Sequence, residues 1–240
     1  AADLANAGTK STFDDSTVGW YETLDGTIVV VSDTGNVTAF KWIDGARVDQ
    51  WNVALVNTNV TCAAIDNVQQ RLAVGTDSGV EVISTGLQDL VYSVSVEEGV
   101  DSLDWDGDGD LWVGLSTSNK AEEYQDTTAT GSITQSHQFE VSAILGLPDG
   151  SVVTTGRDLI ISVNHPNGTQ DRSLMNITST VTNLALIEGG SKMIATSEDG
   201  QFITYSTESW ELVDDEYLST PGRIHSVITL TNGNIAMGTH

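Results

Sequence analysis

A chain of 240 residues with 39% apolar residues is long enough to bury a sizeable core. It carries 9 Lys+Arg against 34 Asp+Glu, a formal net charge of −25, which argues against duplex nucleic acid or an anionic membrane as partner. Cys62 is the only cysteine, so a disulfide within the chain is excluded and a cysteine-based zinc site is disfavoured.

The first residues, AADLANAGTK, lack the basic and apolar regions of a secretory signal. They fit either a chain start after loss of Met or a mature end after cleavage. No run approaches the roughly 20 apolar residues of a membrane span, so no membrane insertion is expected. From there the chain alternates short β-rich runs with tight polar turns, and no long stretch repeats apolar residues at helical spacing. A β-branched residue opens each unit, at Val18, Val60, Val100, Val141, Val181 and Ile224. The successive spacings are 42, 40, 41, 40 and 43 residues.

Each opening is followed by a second run ending in a small residue and a polar turn. Examples are Leu72 to Asp77, Leu111 to Leu115 and Met193 to Glu198. A period near 40 with several strands per unit predicts an all-β fold, a β-propeller with one blade per repeat. The sixth unit stops at His240 after two strands, and residues 1–17 precede the first opening. The expectation is therefore a single six-bladed propeller over residues 1–240, with the N-terminal segment completing the last blade and removing its exposed edge.

The stretch Asp104 to Leu115, DWDGDGDLWVGL, resembles the repeats of regulator-type propellers and, more distantly, WD40 repeats. Such families include sensors, scaffolds, enzymes and viral proteins, so the resemblance implies a fold and leaves the activity open. The same stretch resembles the calcium loop of integrin-type propeller repeats, though it is two residues shorter after Gly109. That resemblance makes Asp104, Asp106 and Asp108 candidate Ca²⁺ ligands. The alternative is a plain acidic hairpin, where Asp and Gly are favoured for their turn geometry. The scarcity of lysine, with Lys10, Lys41, Lys120 and Lys192 alone, resembles proteins of salt-loving archaea or of their viruses. At molar salt the Debye length falls to roughly 3 Å, so such a charge no longer opposes folding.

In a ring of equivalent blades, the residues after each opening face one channel mouth: Gly19, Thr61, Asp101, Ser142, Thr182 and His225. They are read either as a ligand site on the axis or as a polar, water-filled channel. The second hairpin turns share that face and carry Asp33, Asp77, Arg157, Glu198 and His240. Asp101, Arg157, His225 and His240 are thus the candidate binding face, and Trp42, Trp51 and Trp210 the candidate contact aromatics. No nucleophile elbow, H-E-x-x-H or P-loop occurs. The leading expectation is a non-enzymatic, salt-adapted module that binds other proteins, in a homo- or hetero-oligomeric assembly such as a virion or adhesion complex. A cellular sensor or scaffold propeller and a glycan-acting enzyme are the alternatives. The corresponding locations are a virion or outer surface in the first case and the cytoplasm otherwise.

Overall fold

A computed structural model describes residues 16–133, 137–165, 167–218, 222–229 and 235–239. These residues form antiparallel sheets, each built from consecutive strands. Blade 1 holds β1 (Thr17–Glu22), β2 (Ile28–Ser32), β3 (Asn36–Ile43) and β4 (Ala46–Ala54), and blade 2 holds β5 (Val60–Asp66), β6 (Arg71–Thr76), β7 (Gly79–Ser84) and β8 (Leu90–Ser95). In blade 3 come β9 (Val100–Trp105), β10 (Leu111–Leu115), β11 (Ala121–Gln125) and β12 (Thr128–Ile133). Blade 4 is β13 (Val141–Gly146), β14 (Val152–Gly156), β15 (Ile161–Asn164) and β16 (Gln170–Leu174). Blade 5 is β17 (Val181–Ile187), β18 (Lys192–Ser197), β19 (Gln201–Ser206) and β20 (Leu212–Tyr217).

The six-bladed expectation does not hold. Among the described residues the chain forms five four-stranded blades, and Ile224 opens a two-stranded sheet of β21 (Ile224–Thr229) and β22 (Ile235–Thr239). Among the described residues β22 pairs with β21 and with no third strand, so this sheet stays at one hairpin. The segment expected to complete that sheet also ends earlier than supposed, because Thr17 pairs with Ser32 inside blade 1. Residues 1–15 lie outside the described residues.

The second strand of each blade is buried along almost all of its length. All of β6, β10 and β14 is buried. Apolar clusters then fill successive seams: Val29, Val37 and Leu72 between blades 1 and 2, Val82, Leu103 and Leu111 between blades 2 and 3, and Trp112, Ile133 and Ile144 between blades 3 and 4. Leu145, Val163, Met193 and Ile203 fill the seam of blades 4 and 5. The core is thus a row of nearest-neighbour contacts, as expected of repeats. The outermost strands are solvated, and all six residues of β20 are exposed, Asp214, Asp215 and Glu216 among them. Among the described residues no helix is long and apolar enough to cross a membrane.

Candidate functional site

The first strand of every sheet carries a β-bulge at the same place. Register shifts fall between Thr17 and Gly19, Val60 and Cys62, Val141 and Ala143, Val181 and Asn183, and Ile224 and Ser226. In β9, Val100 pairs with Leu115 and Ser102 with Gly114, which leaves Asp101 extra. The bulged residues are therefore Val18, Thr61, Asp101, Ser142, Thr182 and His225. In blades 1 to 5 the bulge re-aims one side chain at the rim of the ring. The first member is Val18 rather than Gly19, because the repeat starts at Thr17. The described inner strands line a cavity of about 590 Å³ to which Val18, Gly19, Thr61, Asp101, Ser142 and Thr182 all contribute. The His225 side chain and His240 lie outside what the structure describes.

Three of the bulged residues lock adjacent blades together. Thr61 Oγ1 donates to the carbonyl of Val100. Ser142 Oγ reaches Val181 O at 3.2 Å, and Thr182 Oγ1 reaches Ile224 O at 2.6 Å. Every acceptor is the opening residue of the next blade. In blade 3 the bulge holds a carboxylate, which cannot donate, and Ser102 makes the equivalent bond to Val141 O at 3.1 Å. Asp101 is thereby released from the lock. It is exposed and makes no hydrogen bond among the described residues. Partial burial raises its pKa, neighbouring Glu140 raises it further, and Arg157 lowers it. Arg157 itself pairs with Glu140 at 2.8 Å. The channel mouth thus brings together Asp101, Glu140 and Arg157, of which sequence reasoning found all but Glu140.

The three aspartates of the acidic turn do not converge. Asp104 sits deep in the channel wall, where its Oδ2 accepts the Gly146 N–H at 2.9 Å. Asp106 is buried and organises its own turn. Its Oδ1 accepts the N–H of Asp108 and of Asp110, both at 3.0 Å, and its Oδ2 accepts Trp112 Nε1–H at 3.2 Å. Asp108 is exposed. Among the described residues no group of three or more acidic, His or Cys side chains is arranged to hold a metal ion. The turn instead joins three blades. The Gly107 N–H donates to Leu147 O at 2.9 Å, and a side chain at Gly107 would collide with the Pro148 carbonyl. Gly109, at φ 84°, offers its carbonyl to Arg71 at 2.8 Å.

Asp104 has a pH consequence. Burial pushes its carboxyl from 3.8 up to about 7, against the Gly146 N–H, which favours the charged form. The folded chain therefore holds this proton more tightly than the unfolded chain. The associated stability is complete below about pH 4 and is lost as pH rises through about 7. Part of the side chain meets channel solvent, which reduces the effect to about 2 kcal/mol. Asp104→Asn keeps an oxygen for Gly146 and has no charge to desolvate. Its unfolding midpoint is expected to exceed the parent's at pH 8 by roughly 5 °C and to converge with it near pH 4. Thermal melts across that range check this, and a constant difference at all pH values counts against it.

A Thr–His–Asp chain that sequence reasoning missed lies in blade 4. His137 Nδ1 is 3.1 Å from Asp158 and Nε2 is 2.9 Å from Thr154 Oγ1. The order matches an acyl-transfer triad, but the His137 and Thr154 side chains are fully enclosed and no substrate can reach them. The chain ties the interblade loop to the hairpin turn, since Asp158 also accepts Gln138 N–H at 2.9 Å. Blade 2 achieves the same tie with Glu81, which accepts Asn57 N–H at 3.0 Å, and blade 5 with Thr178 and Gln201. Different residue types do one job, which is why no repeat of the motif shows in the sequence. Cys62 lines the channel, and burial pushes its thiol up to about 12, which disfavours the thiolate at neutral pH.

The candidate contact aromatics are largely committed to packing. Trp51 packs against the seam of blades 1 and 2, and Trp210 against that of blades 4 and 5. Trp42 meets Phe40 edge-on, with ring centroids 6.2 Å apart. Trp20, 40% exposed, meets the same ring at the same distance.

No family model matches the chain, and no curated protein matches it. Among solved structures it is similar to U3-55K, at 18% identity and a TM-score of 0.80 over 96% of this chain and 76% of that one. It is also similar to the WD40 repeats of RRP9, at 18% identity and a TM-score of 0.80 over 96% of this chain and 75% of that one. At such identity the likeness shows the fold alone, a β-propeller.

Proposed function

We propose that this chain is a non-enzymatic protein–protein interaction module that docks a partner on the channel-mouth face, with Asp101 as its polar anchor. The release of Asp101 from the interblade lock carries this reading. Thr61, Ser142 and Thr182 spend their hydroxyls on the next blade, whereas Ser102 frees Asp101 for an outside contact. In its finer form the module belongs to a salt-adapted assembly such as a virion or surface adhesion complex, and the charge of −25 supports that form. At molar salt long-range steering is negligible, so affinity rests on close contacts of this kind.

Asp101→Thr installs the residue found at this position in blades 2 and 5 and is expected to leave the unfolding midpoint within about 1 °C. The native complex, isolated at molar salt with each form as bait, should lose its partner with the variant. Recovery of the same partner with both forms would overturn the assignment of Asp101. A monomeric parent that turns over a glycan would overturn the interaction reading itself.

A further inference from the structure

Arg71 shows how this fold fills a seam on the face opposite the channel mouth. It stands across the first turn of blade 2 from Asp66, and the two side chains pair at 2.8 Å. Its guanidinium lies 4.1 Å from the centroid of the Trp105 ring of blade 3 and bonds the Gly109 carbonyl of that blade's first turn. The seam therefore holds an arginine between a carboxylate and an indole.

Blade 4 has no such residue. Across its first turn the Leu147 N–H donates to Ser151 O at 2.8 Å, so Ser151 stands where blade 2 has Arg71. A cleft of about 310 Å³ opens there against blade 5. Leu147, Pro148, Val163 and Trp210 supply its apolar walls, and Asp149 and Asp171 its charged rim. Gly190, from the first turn of blade 5, borders the cleft much as Gly109 borders Arg71. Its volume lies at the small end of ligand pockets and is enough for one long side chain.

Both carboxylates are held in position. Asp149 Oδ1 accepts the Ser151 N–H at 3.0 Å. Asp171 Oδ2 takes Arg172 Nε–H at 2.7 Å, while its Oδ1 lies 3.7 Å from His165 Nε2. Arg172 is turned to blade 5, where its Nη1–H donates to Ser209 O at 3.1 Å. Trp210 adopts φ 58°, a conformation rare for so bulky a residue, at the end of the outer hairpin. Gln88 holds the same place in blade 2, with φ 60° and the same N–H bond back to the end of the preceding strand. The turn thus needs no tryptophan, and the indole is there as a wall.

We propose that the cleft between blades 4 and 5 receives an arginine side chain from a partner protein. The aliphatic stem lies along Leu147, Pro148 and Val163, and the guanidinium reaches Trp210 and the two aspartates, as Arg71 does within the chain. This site is on the opposite face from Asp101 and stands or falls separately from it.

The test titrates the full chain, labelled with 5-fluorotryptophan in molar KCl, with the tripeptide acetyl-Gly-Arg-Gly-amide. The Trp210 ¹⁹F resonance is assigned by its loss in Trp210→Phe. A saturable shift of that resonance is expected, weakened roughly tenfold when citrulline, an uncharged near-isostere, replaces arginine. Asp149→Asn combined with Asp171→Asn should weaken it similarly, and Ser151→Arg should abolish it by filling the cleft from within. If Ser151→Arg does not fold, the aspartate pair decides. No shift at Trp210, equal titration by the citrulline peptide, or full binding by the aspartate double variant overturns the proposal.

Discussion

Lowering KCl from about 1 M to about 0.01 M is expected to drop the unfolding midpoint by roughly 10 °C or more, as the Debye length grows from about 3 Å to about 30 Å. Of the nine lysines and arginines, seven already lie within 4 Å of a carboxylate: Lys41, Arg47, Arg71, Arg157, Arg172, Lys192 and Arg223. Little positive charge is left to offset the remaining acidic groups. On β20, Asp214, Asp215 and Glu216 follow one another on an exposed strand, so solvent screening strongly affects their repulsion. The unfolded chain spreads the same charges farther apart and gains from dilution. Melts followed by circular dichroism at matched pH measure the effect. An unchanged midpoint would refute salt dependence.

Replacing Arg71 by Met is expected to cost about 4 kcal/mol, close to the salt effect in size. Arg71 and Asp66 are both buried, with side-chain exposures of 10% and 8%. Removing the guanidinium leaves the Asp66 carboxylate without its counter-ion, strips the Gly109 carbonyl of its donor and takes a cation from the Trp105 face. Asp66 cannot relax into solvent, because its Oδ1 is held by the N–H groups of Val68 and Gln69 at 2.9 and 3.1 Å. Asn at position 66 keeps that acceptor without the charge. The double variant Arg71→Met, Asp66→Asn should therefore recover about half of the loss, since most of the penalty is an unpaired buried charge. Urea denaturation reads both values. A loss below about 1 kcal/mol for Arg71→Met would show that the pair only balances its own desolvation.

The same residues separate what the amino-acid order determined from what tertiary contacts decided. The repeat near 40 residues, the hairpin turns and the doubly buried second strands are local properties. They follow from apolar runs such as Leu72–Val74 and Leu111–Val113 and from the turn chemistry of Gly and Asp. The channel-facing ring was legible for the same reason, since one position per repeat needs only the period. Its first member was misplaced by one residue because Thr17 and Val18 are both β-branched, and only pairing with Ser32 selects Thr17.

The number of complete blades was not local. Whether a run becomes a third or fourth strand depends on which distant edge it finds, and the hairpin from Ile224 finds no further described strand. The acidic turn stayed open between two readings because alternating aspartates suit a cation and a tight hairpin equally well. The second carboxylate oxygen of Asp106 is committed when Trp112, six residues away, folds back across the turn to bond it. Asp104 departs for the channel wall once Gly146 of the next blade arrives. Arg71 with Trp105, His137 with Asp158 and the cleft beside Ser151 likewise exist only between segments that the ring brings together. Hydrogen bonds and ion pairs act over a few ångströms, and spacing along the chain carries no record of which remote group will stand within that reach.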